Sequence, residues 1–452
     1  MTPGRGPAGP VPGVVPRPAA PAASSRPSPS GAAVATTDTT AVADLITAAS
    51  ACLLANGAES QRIVQRADQL ARAAGGRVEL TLGWTESRCS YTGSDSSVEE
   101  RRFAASPTGV GMNRVMAVDA AIEDRAAGRL STSAAATAVQ DAGRQPASST
   151  LLFALACAVG ACGLAVIFGA DDWAALGLIA LAAGLGGIVR RLLGSWGANN
   201  FWQVGVAGLL AGLFGAIAVG ADVSSPLRLA AVCPCMVLVP GPHLLNGSLD
   251  VANLRIPLGL ARLTFATVTL LSITAGLLLG LSLGGADLVL DPAGRDVPLW
   301  LDASAAAVVA VCYGIFYSAP LRILVWPFVV GAGVHALRWV ALYEWHLPAW
   351  AGAGLACLVA GFVLMPVAQR FQVPFSAIGF ASVVSLMPGL LVFRVLAGLS
   401  MLPGAKGVEV APLLQTIVND ANVAFLTIFA MALGFLVPAA CYQAARRRGL
   451  RG

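Results

Sequence analysis

From Thr150 to the C-terminus, the chain is a nearly continuous series of apolar segments, each about as long as a membrane-spanning helix. A helix that crosses the hydrocarbon core needs about 20 mainly apolar residues. The whole chain is 56% hydrophobic and only 12% charged, with a mean hydropathy of +0.72. We therefore predict an α-helical polytopic membrane protein with about ten transmembrane helices, at approximately residues 150–169, 173–189, 201–220, 227–249, 256–285, 298–318, 322–342, 348–368, 373–398 and 413–441.

The residues before Thr150 differ in composition and are predicted to form two regions. Residues 1–40 are rich in proline, glycine and alanine and cannot bury a core, so we predict a disordered tail. They have no basic region followed by an apolar one, so no cleaved signal peptide is expected. Residues 41–147 are predicted to form a small cytosolic α+β domain. Its predicted elements are helices at 41–74, with an interruption at Gly57, and at 112–127 and 131–142, and strands near 78–82, 91–92 and 101–104.

The ten apolar segments fall into two sets of five, residues 148–286 and 297–445. Because five is odd, the second set must enter the membrane from the opposite side. The fourth segment of each set contains a proline–glycine pair, Pro240-Gly241 and Pro388-Gly389. Inverted repeats with matching broken helices are a common transporter design. We therefore predict two inverted five-helix membrane repeats.

The distribution of arginine predicts the orientation in the membrane, because cytoplasmic loops are enriched in arginine and lysine. If the N-terminus is inside, the even-numbered loops and the C-terminus are cytoplasmic, and the opposite loops hold mainly acids. We predict a multi-pass protein of the cell membrane with cytoplasmic N- and C-termini, and the arginine- and glycine-rich composition indicates a bacterial source. The cytoplasmic positions would hold Arg190, Arg191, Arg255, Arg322, Arg370, Arg446, Arg447, Arg448 and Arg451.

Several short motifs resemble the threonine/serine exporter family in its fused form. The resemblance covers nearly the whole chain after residue 40, and the order and spacing of the motifs carry it. The motifs are Leu53 to Arg62, Gly111-Met112-Asn113, Gly128 to Ser131, Leu238 to Gly241, Leu244-Leu245-Asn246, Asp250, Gly259 to Leu263, Val373-Pro374 and Leu386 to Gly389.

The resemblance implies a secondary exporter of threonine and serine, driven by the proton-motive force. Similar proteins with the two halves on separate chains are associated with the export of dicarboxylates such as succinate, so that substrate stays open. A dicarboxylate would need more positive charge near the cavity than Arg262 and Arg394 provide. A membrane-anchored enzyme or scaffold that acts through the cytosolic domain is the alternative of another class.

The two proline–glycine pairs are the predicted substrate site. A proline removes a backbone donor, so Pro240 frees the carbonyl of Met236 and Pro388 frees that of Val384. A freed carbonyl at membrane depth must be buried in protein or face a water-filled cavity. Simple packing kinks are the alternative. The predicted substrate-binding residues are Met236, Pro240, Gly241, Asn246, Val384, Ser385, Pro388 and Gly389.

Three titratable residues are the candidates for proton coupling: His243, Asp250 and Asp420. Ionisable groups at membrane depth are costly and usually functional. Each has an alternative: His243 as a packing residue, Asp250 as an interfacial partner of Arg255 or Arg262, and Asp420 as a residue of an external vestibule. Arg394 is the expected partner of Asp420, if it does not instead extend towards the interface.

The predicted cytosolic domain lacks the residues of a common hydrolase. The three histidines, His243, His335 and His346, all lie in the membrane part, so a Ser-His-Asp or Cys-His site in this domain is excluded in its usual form. We predict that the chain is not an enzyme and that the domain has a regulatory, docking or assembly role. No cofactor, metal or nucleic acid is expected as a ligand; the partners are the small-molecule substrate, protons and lipid, and a homo-oligomer is left open.

Overall fold

The described part of the chain begins with a helix, which starts directly after Pro29, the last proline of the predicted tail. The computed structural model describes residues 30–223, 228–288, 297–371, 373 and 375–449. Most of the predicted tail therefore lies outside the described residues. Helix α1 (Ser30–Ala55) begins about ten residues before the predicted boundary of the tail, because no proline after Pro29 interrupts it.

The N-terminal domain has four helices and a three-stranded antiparallel sheet. After α1 come α2 (Ser60–Ala73), β1 (Arg77–Thr81), β2 (Ser87–Thr92), β3 (Val98–Phe103), α3 (Met112–Ala126) and α4 (Thr132–Arg144). The strand order is β1-β2-β3, with Leu80 opposite Cys89 and Cys89 opposite Arg101. Gly57 adopts a φ of +82°, which a residue with a Cβ rarely does, and so ends α1 where the sequence indicated.

Buried side chains from α1 to α4 and β2 form one hydrophobic core in this domain. Alternate residues of β2 point into it, so that Cys89 and Tyr91 are fully covered. On the outer side of α2, Arg62 and Arg66 both bond the buried carboxylate of Asp119 in α3, with shortest distances of 2.6 and 2.8 Å. These bonds fix α2 against α3.

Among the described residues, eight helices are long and apolar enough to cross a membrane, and the number of spans rises to ten when each of two bent helix pairs is taken as one span. The prediction of a polytopic helical membrane protein is confirmed. The unbent helices are α5 (Thr150–Ile167), α6 (Trp173–Ser195), α7 (Asn200–Gly220), α10 (Ile256–Leu283), α11 (Leu299–Phe316), α12 (Val325–Tyr343), α13 (Ala349–Arg370) and α16 (Val410–Gly449).

Each bent pair occupies the fourth position of its half. The first pair is α8 (Leu229–Met236) with α9 (Gly241–Ala252), bent by 54°. The second is α14 (Phe375–Val383), which continues through a short 3-10 turn to Leu386, with α15 (Gly389–Met401), bent by 51°.

The helices of the two halves pack in the same pattern. In each half, the first helix contacts the second, the second contacts the third, and the third contacts the fifth. The first member of the bent pair packs on the first three helices, and the second member packs on the fifth. The halves meet through their first helices, where Gly160 and Gly163 of α5 let α11 approach at Cys312 and Val309.

Candidate functional site

The two breaks have the same local geometry. Pro240 has φ and ψ of −80° and 57°, and Pro388 has −80° and 47°. At each break the glycine N–H donates to the carbonyl two residues earlier, from Gly241 to Val239 and from Gly389 to Met387, at 2.8 Å in both cases. These tight turns replace the helical bonds that the prolines remove.

The two breaks meet at the centre of the membrane part. A Cβ placed on Gly389 would lie 3.5 Å from Met236 and from Val239, so the second break rests on the first. A cavity of only about 10 Å³ remains between them. We call it the central junction. Its lining includes four of the predicted binding residues, two from each half, and comprises Leu164, Met236, Val239, Gly241, Tyr313, Val384, Met387 and Gly389.

The two carbonyls that were predicted to receive the substrate are already bonded within the protein. The carbonyl of Met236 accepts from the Tyr313 hydroxyl at 2.9 Å and from the Val239 N–H at 3.2 Å. The carbonyl of Val384 accepts from the Met387 N–H at 3.1 Å. Both carbonyls thus have a partner in this conformation, because a buried carbonyl needs one and the fold supplies it. Their role as substrate acceptors stays a prediction.

A different carbonyl at the first break is open. Pro242 has no N–H to return to Leu238, and no described residue donates to the Leu238 carbonyl. Leu238 lines a large cavity beside the break. The predicted site included only the carbonyls freed by Pro240 and Pro388, although Pro242 stands four residues after Leu238 in the sequence.

A cavity of about 360 Å³ reaches the first break from the side of the N-terminal domain. We call it the domain-side vestibule. The loop at residues 108–110 covers part of it, and this loop is fixed because the Met112 N–H donates to the Tyr317 carbonyl at 2.9 Å. The other polar or break residues in its lining are Arg190, Arg191, Asn200, Gln203, Leu238, Val239, Pro240, His243, Thr269 and Ser318.

A second cavity, of about 370 Å³, reaches the second break. We call it the far vestibule, because it includes Phe168 at one end of α5 whereas the domain-side vestibule includes Phe153 at the other. Its lining contains the predicted residues Ser385 and Pro388. The remaining polar or break residues are Arg338, Leu386, Met387, Arg394, Asn419, Asp420 and Thr427.

The three cavities follow one another, and each neighbouring pair shares a lining residue. Val239 lines both the domain-side vestibule and the central junction, and Met387 lines both the junction and the far vestibule. These two side chains therefore separate the cavities. They stand 148 positions apart, and the same interval relates Phe168 to Phe316, Arg190 to Arg338 and Pro240 to Pro388.

Two of the three predicted proton-coupling residues lie in these vestibules. The buried ring of His243 lines the domain-side vestibule and packs edge-on against Phe265, with ring centroids 4.8 Å apart. Asp420 lines the far vestibule, and its Oδ2 accepts from Arg394 Nε at 2.7 Å. The predicted pairing of Asp420 with Arg394 is confirmed.

Asp250 and Asn246 lie elsewhere, where the N-terminal domain contacts the membrane part. Asp250 is 3% exposed, and its Oδ2 accepts from Ser60 Oγ at 2.9 Å and lies 3.3 Å from Arg262 Nε. Asn246 donates to the carbonyl of Gly57 at 3.3 Å. The structure therefore agrees with the alternative for Asp250, in which it is an interfacial partner of arginines. Arg262 is the nearer partner, and Arg255 is more distant at 3.9 Å.

The N-terminal domain supplies partners to α9, which the sequence alone does not indicate. Neither Asn246 nor Asp250 lines the two vestibules or the central junction. Their predicted role at the breaks followed from helical spacing alone. The spacing puts both residues on one face, but that face meets α2 and the loop before it.

Ten apolar spans among the described residues, two of them broken and in contact with each other, and cavities on both sides of the breaks define the class: a multi-pass membrane transporter. The model of the threonine/serine exporter family ThrE matches residues 44–284, which are the N-terminal domain and the first five spans. A second model, described as "Threonine/Serine exporter, ThrE", matches residues 302–441, the other five spans. The chain belongs to the threonine/serine exporter family. Comparisons with curated proteins and with solved structures found no match.

Proposed function

We propose that the chain exports threonine and serine through the path formed by the two vestibules and the central junction. The observation that carries the proposal is the meeting of two matched breaks between two cavities of about 360 and 370 Å³, each large enough for a small ligand. The junction, at about 10 Å³, holds no substrate in this conformation. Transport then requires the bent pairs to move apart in turn, as in alternating access.

The domain-side vestibule supplies suitable partners for a small hydroxy amino acid. Arg190 offers positive charge to a carboxylate. The open Leu238 carbonyl accepts from the ammonium group. The hydroxyl of Thr269 donates to the Phe265 carbonyl at 2.8 Å, so its oxygen is left to accept from the substrate.

We propose that Asp420 couples export to protons. In the far vestibule, Arg394 holds the Asp420 carboxylate at 2.7 Å. An arriving substrate carboxylate competes for the Arg394 guanidinium and releases Asp420. The released Asp420 carboxylate then takes a proton from the side of the membrane away from the N-terminal domain. The substrate leaves to that side as the proton moves in the other direction. His243, which has no such acid–base partner among the described residues, is assigned a packing role beside the substrate.

The test is threonine efflux from proteoliposomes under an imposed pH gradient. Wild-type efflux should accelerate with an inward proton gradient and lose that acceleration with an uncoupler. Asp420→Asn should still exchange threonine across the membrane. Its efflux rate should change neither with the proton gradient nor with the uncoupler. Asp302→Asn is the matched control, because Asp302 is also a buried acid of the second half but pairs with His335 at 2.9 Å outside the path. Proton-dependent efflux in Asp420→Asn would refute the coupling role.

Dicarboxylate export is the second candidate, and one observation favours it. From the sequence, only Arg262 and Arg394 were expected near the cavity. The structure instead puts Arg190 and Arg191 in the domain-side vestibule, with no carboxylate among its described lining residues. Competition between labelled threonine and unlabelled succinate separates the two candidates, since succinate should displace threonine only if it occupies the same site.

We propose that both termini are cytoplasmic and that the two halves are inverted in the membrane. The common packing pattern of the halves and the constant interval between equivalent residues support this arrangement. Reporter fusions at Asp291, which lies outside the described residues, and at the C-terminus test it. A cytoplasmic signal at Asp291 would contradict both the orientation and the inversion.

We propose that the N-terminal domain controls access to the domain-side vestibule and catalyses nothing. The loop of this domain at residues 108–110 lines the vestibule. Ser60 joins the domain to the membrane part, because its hydroxyl donates to Asp250. Deletion of residues 1–29 should leave export intact. Ser60→Ala should weaken this contact with Asp250 and change the rate of substrate entry, measured as initial uptake into inside-out vesicles. A hydrolase activity of the purified protein that survives in transport-dead variants would contradict this role.

A further inference from the structure

Each vestibule contains an arginine from the second helix of its half. Arg190 lies on α6 and lines the domain-side vestibule, and Arg338 lies on α12 and lines the far vestibule. The two arginines are 148 positions apart, the same interval that relates Pro240 to Pro388. They therefore occupy equivalent positions in the two halves, one on each side of the central junction.

Arg190 is not engaged by an acid. Its guanidinium carbon lies 5.2 Å from the centre of the Phe316 ring, and no described acid forms an ion pair with it. The adjacent Arg191 differs, because it donates to both the carbonyl and the hydroxyl of Ser148 and lies 4.2 Å over the Phe153 ring. Arg191 thus fastens α6 to the start of α5, whereas the charge of Arg190 is available to the cavity.

Arg338 likewise forms no ion pair with a described acid, and the nearby Asp302 carboxylate that acts on its charge is already bonded to His335. The Nε of Arg338 is buried and bonds no described residue, and no described acid lies within ion-pair distance of it. The acids around it are already used: Asp302 bonds His335, and Asp420 bonds Arg394. A buried guanidinium without a partner is costly. An anion that enters the far vestibule would supply the missing bonds.

We propose that Arg190 and Arg338 are the residues that first bind the substrate carboxylate in the two vestibules, one for each, and that in the far vestibule the carboxylate then passes from Arg338 to Arg394. This proposal rests on the proposed function, export of a small carboxylate-bearing substrate. A guanidinium binds a carboxylate through two parallel hydrogen bonds, which a lysine cannot match. Arg190 holds the substrate carboxylate before the junction opens, and Arg338 receives it afterwards, so the charge is compensated on both sides of the barrier.

The test uses membrane vesicles of both orientations, with threonine offered from one side at a time. Arg190→Gln should raise KM for threonine offered from the domain side by about 10- to 100-fold, the change expected on losing a hydrogen bond to a charged group. Arg338→Gln should raise KM from the opposite side by a similar factor. Each variant should change KM from its own side more than from the other.

A second measurement separates carboxylate binding from a structural role. Threonine amide lacks the carboxylate charge and should inhibit wild-type transport much more weakly than threonine does. In Arg190→Gln, assayed from the domain side, the two inhibitors should become nearly equal. In the matched control Arg191→Gln, the ratio between them should stay as in the wild type, because Arg191 is already bonded to Ser148. Arg190→Lys should lie between the wild type and Arg190→Gln, and it replaces Arg190→Gln if that variant does not reconstitute.

The outcomes distinguish this proposal from the proposed function. If the wild type transports threonine and both arginine variants keep the wild-type KM and inhibitor ratio, the carboxylate assignment is overturned and the export function stands. If the wild type transports succinate but not threonine, the amino-acid substrate is wrong. The arginines are then tested in the same way with succinate against its monoamide, where a preserved ratio again overturns the assignment.

Discussion

The two glycines at the breaks should respond differently to the same substitution. A Cβ on Gly241 would collide with the ring of Phe380 on α14, coming within 2.7 Å of its Cε2 atom. A Cβ on Gly389 would lie 3.5 Å from Met236 and Val239, which is ordinary van der Waals contact. The collision at Gly241 is therefore with the protein itself and does not depend on a bound substrate.

The expected magnitudes follow from these distances. Real Cβ atoms do not approach within 3.0 Å of a neighbour, so Gly241→Ala must displace Phe380 or separate α9 from α14. Overpacking of this kind costs about 1–3 kcal/mol. A cost of that size, applied to one transport state, changes its population relative to the others by roughly 5- to 150-fold. Gly389→Ala should stay within about 0.5 kcal/mol of the wild type.

The assay combines thermal unfolding of the purified protein with threonine efflux from proteoliposomes. Gly241→Ala should lower both the unfolding temperature and the efflux rate, and Gly241→Ala with Phe380→Leu should recover part of each loss because the smaller side chain removes the collision. Gly333→Ala is the matched control, since an added Cβ on this helical glycine meets nothing within 4 Å. Equal effects at Gly241 and Gly389, or no recovery with Phe380→Leu, would refute the reasoning.

Three further predictions concern other contacts. Arg394→Ala should destabilise the protein by about 3–5 kcal/mol, because it leaves the Asp420 carboxylate buried without its partner; thermal unfolding measures this, and a loss below about 1 kcal/mol would contradict it. Ser131→Ala should cost about 1 kcal/mol, because Ser131 Oγ accepts from the Ala134 N–H at the start of α4; faster amide exchange confined to α4 is the expected signature. Burial raises the pKa of the Cys89 thiol, so maleimide should label exposed Cys441 at neutral pH but reach Cys89 only after denaturation.

Much of the membrane fold was predictable because lipid imposes a simple rule on sequence. A spanning helix must be apolar over about 20 residues, so each of the ten segments could be located to within a few residues at most ends. The breaks were predictable for the same kind of reason, since a proline in an apolar segment removes a fixed backbone bond. The same rule applies to Pro242, whose missing N–H leaves the Leu238 carbonyl without its helical bond.

The pairing of the helices was not predictable in this way. Inside lipid, an apolar face gives little indication of which neighbour it meets, since the hydrocarbon chains are as apolar as the side chains. Gly212 and Gly280 look like ordinary apolar-segment glycines in the sequence, yet they let α7 and α10 pack with their backbones in close approach. Only the folded structure shows which glycines lie at close helix–helix contacts.

The sequence by itself determined the spans, the break positions and the sheet of the N-terminal domain, because each depends on local chemistry. It also offered Arg394 as one of two options for Asp420, and the structure decided between them. The tertiary structure alone decided which carbonyls stay open, that Asp250 bonds Ser60 across the domain contact, and that Arg190 and Arg338 face cavities on opposite sides of the junction. The physical reason is that a buried polar group takes whichever partner the fold brings within about 3 Å. That partner can stand almost two hundred residues away, as Ser60 does from Asp250.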